Sequence, residues 1–317
     1  MGTQDGRRSN FRMVIGVVAT IAVTGLALLA LTKVLGEVEP QDVASSFART
    51  GIWRMAAALA LTAGCYLALS GYDRIALRSL GKAVTWRKTI LGSTAAYALS
   101  HNLGFAPVTA SFARHRVYRH DGVGVADVAR VVVLTGASFW LGVILVMGIC
   151  LIVVPDLLAA KEWSLSRPMQ IAAGLIIVDV VIIYLLLISK GLRNLGWKSW
   201  SVPLPSLPDA IVQSGISLLE MALASAILWV LLPEGTLSQY PMVLVAYVSA
   251  FVMVLISHAP GGAGVLEAVV ILMLPDIPKA EVLSALILFR IAFHFIPLMV
   301  AIAIIAMHSR TRPSPEG

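Results

Sequence analysis

Pro260 to Glu267 reads PGGAGVLE, so a rigid proline, three glycines and a carboxylate fall within one short break in an otherwise apolar sequence. Gly261, Gly262 and Gly264 admit unusual backbone angles and close approach. The freed N–H groups of a helix starting just after them, with its positive dipole end, suit an anion such as a lipid phosphate. The same glycines would equally permit tight helix crossing in a membrane. The proline, the carboxylate and the shortness of the run that follows favour binding. Glu267 falls in the first turn of that expected half-helix, and Arg290 lies about 12 Å into the last apolar run by helical rise. Glu220 and Asp179 are two further charges inside apolar runs. Charges at such depth face a bundle interior or a cavity and need partners. Arg290 pairs with Glu267 or with Glu220, either as a structural bridge or as a countercharge that substrate displaces.

A second polar stretch carries Ser100, His101, Asn102, Gly104, Pro107, Thr109 and Ser111, followed by Arg114, His115, Arg116, Tyr118 and Arg119. That cationic cluster would attract anionic headgroups, or simply record the excess of basic residues on the cytoplasmic side. His258 and His294 either titrate near neutral pH or serve as hydrogen-bonded structural residues.

The elements that must position these residues are membrane helices. The 317 residues are 58% hydrophobic and 13% charged, against about a quarter charged in soluble domains. Apolar runs at Met13–Leu31, Trp53–Leu69, Val131–Val154, Ile171–Ser189, Ile211–Leu232, Tyr240–Ile256 and Val282–Met307 approach the ~20 residues that cross a bilayer. The fold class expected is an all-α polytopic membrane protein with about seven long spans and two re-entrant or broken elements, Ile90–Ala113 and Ala259–Leu274. Two interrupted segments, one in each half, point to a transporter's binding site. The domain expected is single, residues 13–307, between cytoplasmic tails 1–12 and 308–317. Cys65 and Cys150 lie in apolar runs and read as packed thiols.

Basic residues set the orientation. Arg74, Arg78, Lys82, Arg87 and Lys88 crowd the loop expected after the second run, whereas Glu37, Glu39 and Asp42 offset Lys33 and Arg49 after the first. Both termini are therefore expected in the cytoplasm. Ile90–Ala113 then has to return to the cytoplasmic side, or Arg114, Arg116, Arg119 and Arg130 would lie outside. Ala259–Leu274 has to carry the chain outward, as a discontinuous crossing shared between the end of the Tyr240–Ile256 helix and a half-helix from about Gly264.

Enzymatic motifs are lacking: there is no HExxH, GxSxG or phosphate loop, and six residues separate Asp121-Gly122 from Ala129-Arg130 where a DGxxAR core needs two. The chain is expected to be no enzyme and to need no cofactor or metal. The net charge of +7 belongs to topology rather than to nucleic acid.

Three blocks carry a resemblance: His101-Asn102-Leu103 running to Arg114-His115-Arg116-Val117-Tyr118 and Gly122; Pro260 to Glu267; and Leu288 to Leu298, which holds Arg290 and Pro297. In these the chain resembles the flippase domain of the lysylphosphatidylglycerol synthase/flippase family, in its stand-alone bacterial form. The resemblance implies a lipid transporter of the inner membrane that binds a phospholipid or related lipid between two re-entrant elements and moves it between leaflets. It maps motif residues onto Asn102, Arg114, Arg116, Tyr118, Pro260, Gly261, Gly262, Gly264, Glu267, Arg290 and Pro297. The chain departs from the pattern at Ala110 and Ser111, where relatives tend to carry glycines, and at His294, where an aromatic residue is usual and which would alter a headgroup contact. The aminoacyl-transferase domain of the larger family proteins is expected to be lacking. The alternative is a non-transporting accessory or structural subunit of an envelope pathway, with a homo-oligomer or pathway protein as partner.

Overall fold

A computed structural model describes residues 32, 36, 38–103, 106–153, 166–197, 200–233, 235–257 and 260–310. Helices dominate: α1 (Pro40–Arg49), α2 (Ile52–Ser79), α3 (Trp86–Leu103), α4 (Ala106–Tyr118), α5 (Val125–Val153), α6 (Arg167–Ser189), α7 (Leu207–Leu231), α8 (Tyr240–Ser257), α9 (Val265–Met273), α10 (Lys279–Phe289) and α11 (Ile296–Arg310). A π-helical segment, Arg290–Phe295, joins the last two, and a short antiparallel hairpin, β1 (Asn194–Trp197) and β2 (Trp200–Pro203), lies between α6 and α7.

The protein is an all-α polytopic membrane protein. Among the described residues, six helices are long and apolar enough to cross a bilayer: Ile52–Ser79, Val125–Val153, Arg167–Ser189, Leu207–Leu231, Leu237–Ser257 and the continuous stretch Lys279–Ser309. Each coincides with one of the apolar runs named above. The remaining run, Met13–Leu31, lies outside the described residues, as do both tails apart from 308–310, and so does His258.

Expected boundaries shift where polar residues ride on helices. The second span does not end at Leu69, because Ile75, Ala76 and Leu77 keep packing inward and α2 runs to Ser79. Arg74 and Arg78 therefore sit on its last two turns rather than in a loop. The stop comes at Gly81, whose φ of 67° and the Lys82 N–H to Leu77 O bond of 2.9 Å close the helix with a left-handed glycine cap. Gly191 (φ 99°) ends α6 in the same way, with Leu192 N–H bonded to Leu187 O. α7 begins on Ser206, which accepts a hydrogen bond from Asp209 N–H.

Helices α2 and α7 pack together most extensively and make the largest helix–helix contact of the bundle. Small residues allow close crossings around it. A Cβ on Gly142 of α5 would come within 2.3 Å of Ser217 on α7, and one on Gly174 of α6 within 2.7 Å of the Gly148 carbonyl of α5. In a membrane such approach supplies the dispersion contacts that hold helices together.

Both interrupted segments fold back on themselves. Gly92 and Tyr118, nearly equidistant from the break between α3 and α4, touch so closely that a Cβ on Gly92 would lie 2.3 Å from the Tyr118 ring. The two helices are thus the arms of an antiparallel hairpin. On the other side, Gly261, Gly262 and Gly264 all have positive φ (61°, 64° and 80°). They turn the chain so that α9, about 13 Å long, doubles back along α8.

Candidate functional site

The site is built around Arg290, whose three guanidinium nitrogens are all engaged. Nε donates to Glu267 Oε1 at 2.5 Å, Nη1 to the Gly261 carbonyl at 2.8 Å, and Nη2 to the Gly262 carbonyl at 3.2 Å. The other carboxylate oxygen of Glu267 accepts the Gly264 N–H at 2.8 Å. Of the two partners open to Arg290, the fold selects Glu267. It does so with a carboxylate that also caps its own half-helix, so the helix N-terminus expected to receive an anion is occupied by a side chain of the same helix. The positive-φ glycines turn two carbonyls toward the cation, and a planar fork matches this set of acceptors where an ammonium would not.

Pro297 shapes the facing wall. Lacking an N–H, it cannot bond the carbonyl of Phe293, four residues earlier, and its ring pushes that carbonyl aside. The helix responds with the wide turn over Arg290–Phe295. Its exposed carbonyls find side chains instead: Phe293 O accepts from Tyr66 Oη at 3.2 Å, and His294 O from Asn102 Nδ2 at 3.0 Å. Both donors come from other elements, α2 and α3.

These contacts bring the two breaks together. A Cβ on Gly261 would sit 3.2 Å from the Asn102 carbonyl, so the turn before α9 meets the end of α3. Around the junction, the His101 ring stacks on Phe293 (centroids 5.6 Å apart, planes 26°) and lies 6.2 Å from the His294 ring. Nδ1 of each histidine is buried without a hydrogen-bond partner among the described residues. Tyr66 lies midway along its span, which puts the junction near half the height of the bundle.

Asn102, Gly261, Gly262, Gly264, Glu267, Arg290 and His294 therefore form one constellation, with the Pro260 backbone in the same turn. Arg114, Arg116, Tyr118 and Glu220 stand apart from it. Arg114 is not a cation displayed at a mouth: it is 1% exposed and forks onto Asp73, Nε to Oδ2 at 2.9 Å and Nη2 to Oδ1 at 2.7 Å. Tyr118 Oη joins the same carboxylate at 2.9 Å, and Arg114 lies over the Tyr97 ring at 5.0 Å. Arg116 is the partly exposed one of the pair, donating to Ser309 Oγ on α11 at 3.2 Å. Glu220, buried midway along α7, meets the Tyr72 hydroxyl at 2.9 Å rather than Arg290.

Sequence reasoning missed Asp73, Tyr72 and Tyr66. Asp73 was hidden because the basic residues after it read as a loop. The available signal was the apolar spacing of Leu69, Ile75, Ala76 and Leu77, which carries the helical pattern past it.

The family described as "Lysylphosphatidylglycerol synthase TM region" matches residues 13–301. An uncharacterized protein of Synechocystis sp., slr0712, is 32% identical over 277 residues, covering 86% of this chain and 85% of its own. The inner membrane protein YbhN of Escherichia coli is 29% identical over 251 residues, 77% of each chain.

Proposed function

The chain belongs to the lysylphosphatidylglycerol synthase transmembrane-region family, and from that premise we propose that it is a non-enzymatic lipid transporter that moves a phospholipid-like molecule between leaflets. The observation that carries the proposal is the meeting of the two interrupted segments at half height, where Gly261 touches the Asn102 backbone. Lipid tails can stay in the bilayer while the headgroup needs polar surroundings to pass the centre, and among the described residues only this junction offers irregular backbone, a cation and a carboxylate together. A headgroup phosphate competing with Glu267 would gain the Arg290 fork and the Gly264 N–H at once, both charge-assisted. Displacement of Glu267 then unties α9 from the Arg290–Phe295 turn and gives the hairpin freedom to part from α3. Arg116, near the α11 end, would meet anionic lipid before it enters. The membrane is proposed to be the bacterial inner membrane, with both termini cytoplasmic, in keeping with the relative's printed name and with the basic residues clustered at the Gly81 and Gly191 ends of α2 and α6.

The test is lipid movement in vesicles reconstituted with the full chain and a fluorescent phospholipid. Asn102→Ala and Gly261→Val variants that remain folded should slow movement at least tenfold. Unchanged rates in both would overturn the proposal.

The complete engagement of Arg290 favours a second reading, a lipid-binding accessory protein in which the Arg290–Glu267 pair only holds the fold. Replacing both by Gln separates the two. A double variant that keeps its stability but no longer moves lipid favours transport through this pair, whereas a wild-type protein that moves no lipid yet retains it favours the accessory role.

A further inference from the structure

We propose that the outer face of α6 is an intramembrane docking surface for a transmembrane helix of another protein that carries a lysine or arginine at mid-span, and that Asp179 is the residue it pairs with. Asp179 lies twelve residues from the Arg167 end of α6 and ten from the Ser189 end. At 1.5 Å per residue both ends are about 15 Å or more away, too far for a short carboxylate to reach headgroups. The side chain is exposed on the surface of the bundle and makes no hydrogen bond or ion pair among the described residues. Charged residues at that depth face protein or water rather than lipid tails.

The helix around it is poorly covered. Only 17% of the apolar window of α6 is buried, the least of the six spans. Its inner edge is fixed on α5 through the Gly148–Gly174 approach, leaving Ile176, Asp179, Val180, Ile183 and Leu187 in one outward stripe. Their spacing of three and four residues is that of a helix-packing face.

Charge decides the occupant. Within the six spans, Arg290 is the single Lys or Arg away from the helix ends among the described residues, and all its nitrogens are engaged. Met13–Leu31 holds no charged residue at all. Neither a second copy nor the chain's own first apolar run can therefore bring a mid-membrane cation to Asp179. A different protein with a basic residue in its span can.

The experiment uses the full chain in phosphatidylcholine vesicles with synthetic leucine-based transmembrane peptides, each bearing a fluorophore and a single central lysine, leucine or glutamate. The central-lysine peptide should associate at least tenfold more tightly than the other two. Asp179→Asn, a neutral change at an exposed position, should remove that preference, and Ile183→Trp should weaken it. Equal association of all three peptides overturns the proposal. So does self-association of the chain that Asp179→Asn abolishes, which would make a second copy the occupant. Lipid movement by the isolated chain should be unaffected by Asp179→Asn, so this outcome and that of the transport assay are read independently.

Discussion

At the scale of single residues, two forked arginines do different work with the same geometry. Arg114 and Asp73 are both sealed from solvent and anchor α4 to α2. Removing Asp73 alone leaves a buried cation without its partner, a change that costs about 3–5 kcal/mol. Asp73→Ala should therefore lower the unfolding midpoint in detergent far more than Arg116→Ala does, as read by intrinsic fluorescence. Gly92 is fixed by the same anchor, since a methyl there would enter the Tyr118 ring. Gly92→Ala should destabilise by about 1–3 kcal/mol, and combined with Tyr118→Ala it should cost less than the sum of the two single changes in the same thermal scan. The Glu267–Arg290 pair was half legible in sequence, where four intramembrane charges stood out and Glu267 and Glu220 were the two partners open to Arg290. The Arg114–Asp73 pair was not, because positive charge after a hydrophobic run is the ordinary mark of a cytoplasmic loop, and nothing local shows that the helix continues.

At the scale of elements, the Gly/Pro chemistry of the two breaks announced the first hairpin; at the second it announced the break and the half-helix, expected as a discontinuous outward crossing, while the structure turns α9 back along α8. Glycines with positive φ cannot be replaced without strain, so Gly261→Ala should cost about 1–2 kcal/mol and loosen the junction. Amide exchange should show it as faster exchange at the end of α3, on an element the mutation does not belong to. The π-helical turn escaped notice because a proline in an apolar run signals a kink without stating its form. Pro297→Ala restores an N–H that can bond Phe293 O, and so should let the wide turn relax toward an α-helix. The expected result is a thermal midpoint equal to or above wild type together with slower lipid movement, a combination that simple unfolding does not produce. The meeting of the hairpins could not be seen in the sequence, since 159 residues separate Asn102 from Gly261 and only the packing of α2, α3 and the last helix brings them together.

For the whole molecule, hydropathy alone located the six described spans, because apolar length is a local property and lipid demands it everywhere. Sidedness should follow from the same alternation. Single cysteines at Ser79 and Ser189 should react with an impermeant maleimide only from the cytoplasmic side, and those at Leu237 and Asp276 only from the opposite side, with buried Cys65 and Cys150 silent. Labelling of all four from one side would contradict the orientation. The wide turn at Arg290–Phe295 has a reach beyond its own carbonyls. Each residue of an α-helix advances about 100° around the axis, so the one extra residue lodged in that turn sets the angular phase of everything after it. Deleting it would leave a chemically acceptable straight helix, yet α11 would present a different side to α3 and α4, and Ser309 would point away from Arg116. The bulge thus works as a phase shim: it lets the half of the helix that grips Arg290 and the half that seals the hairpin obey separate packing registers along one continuous rod.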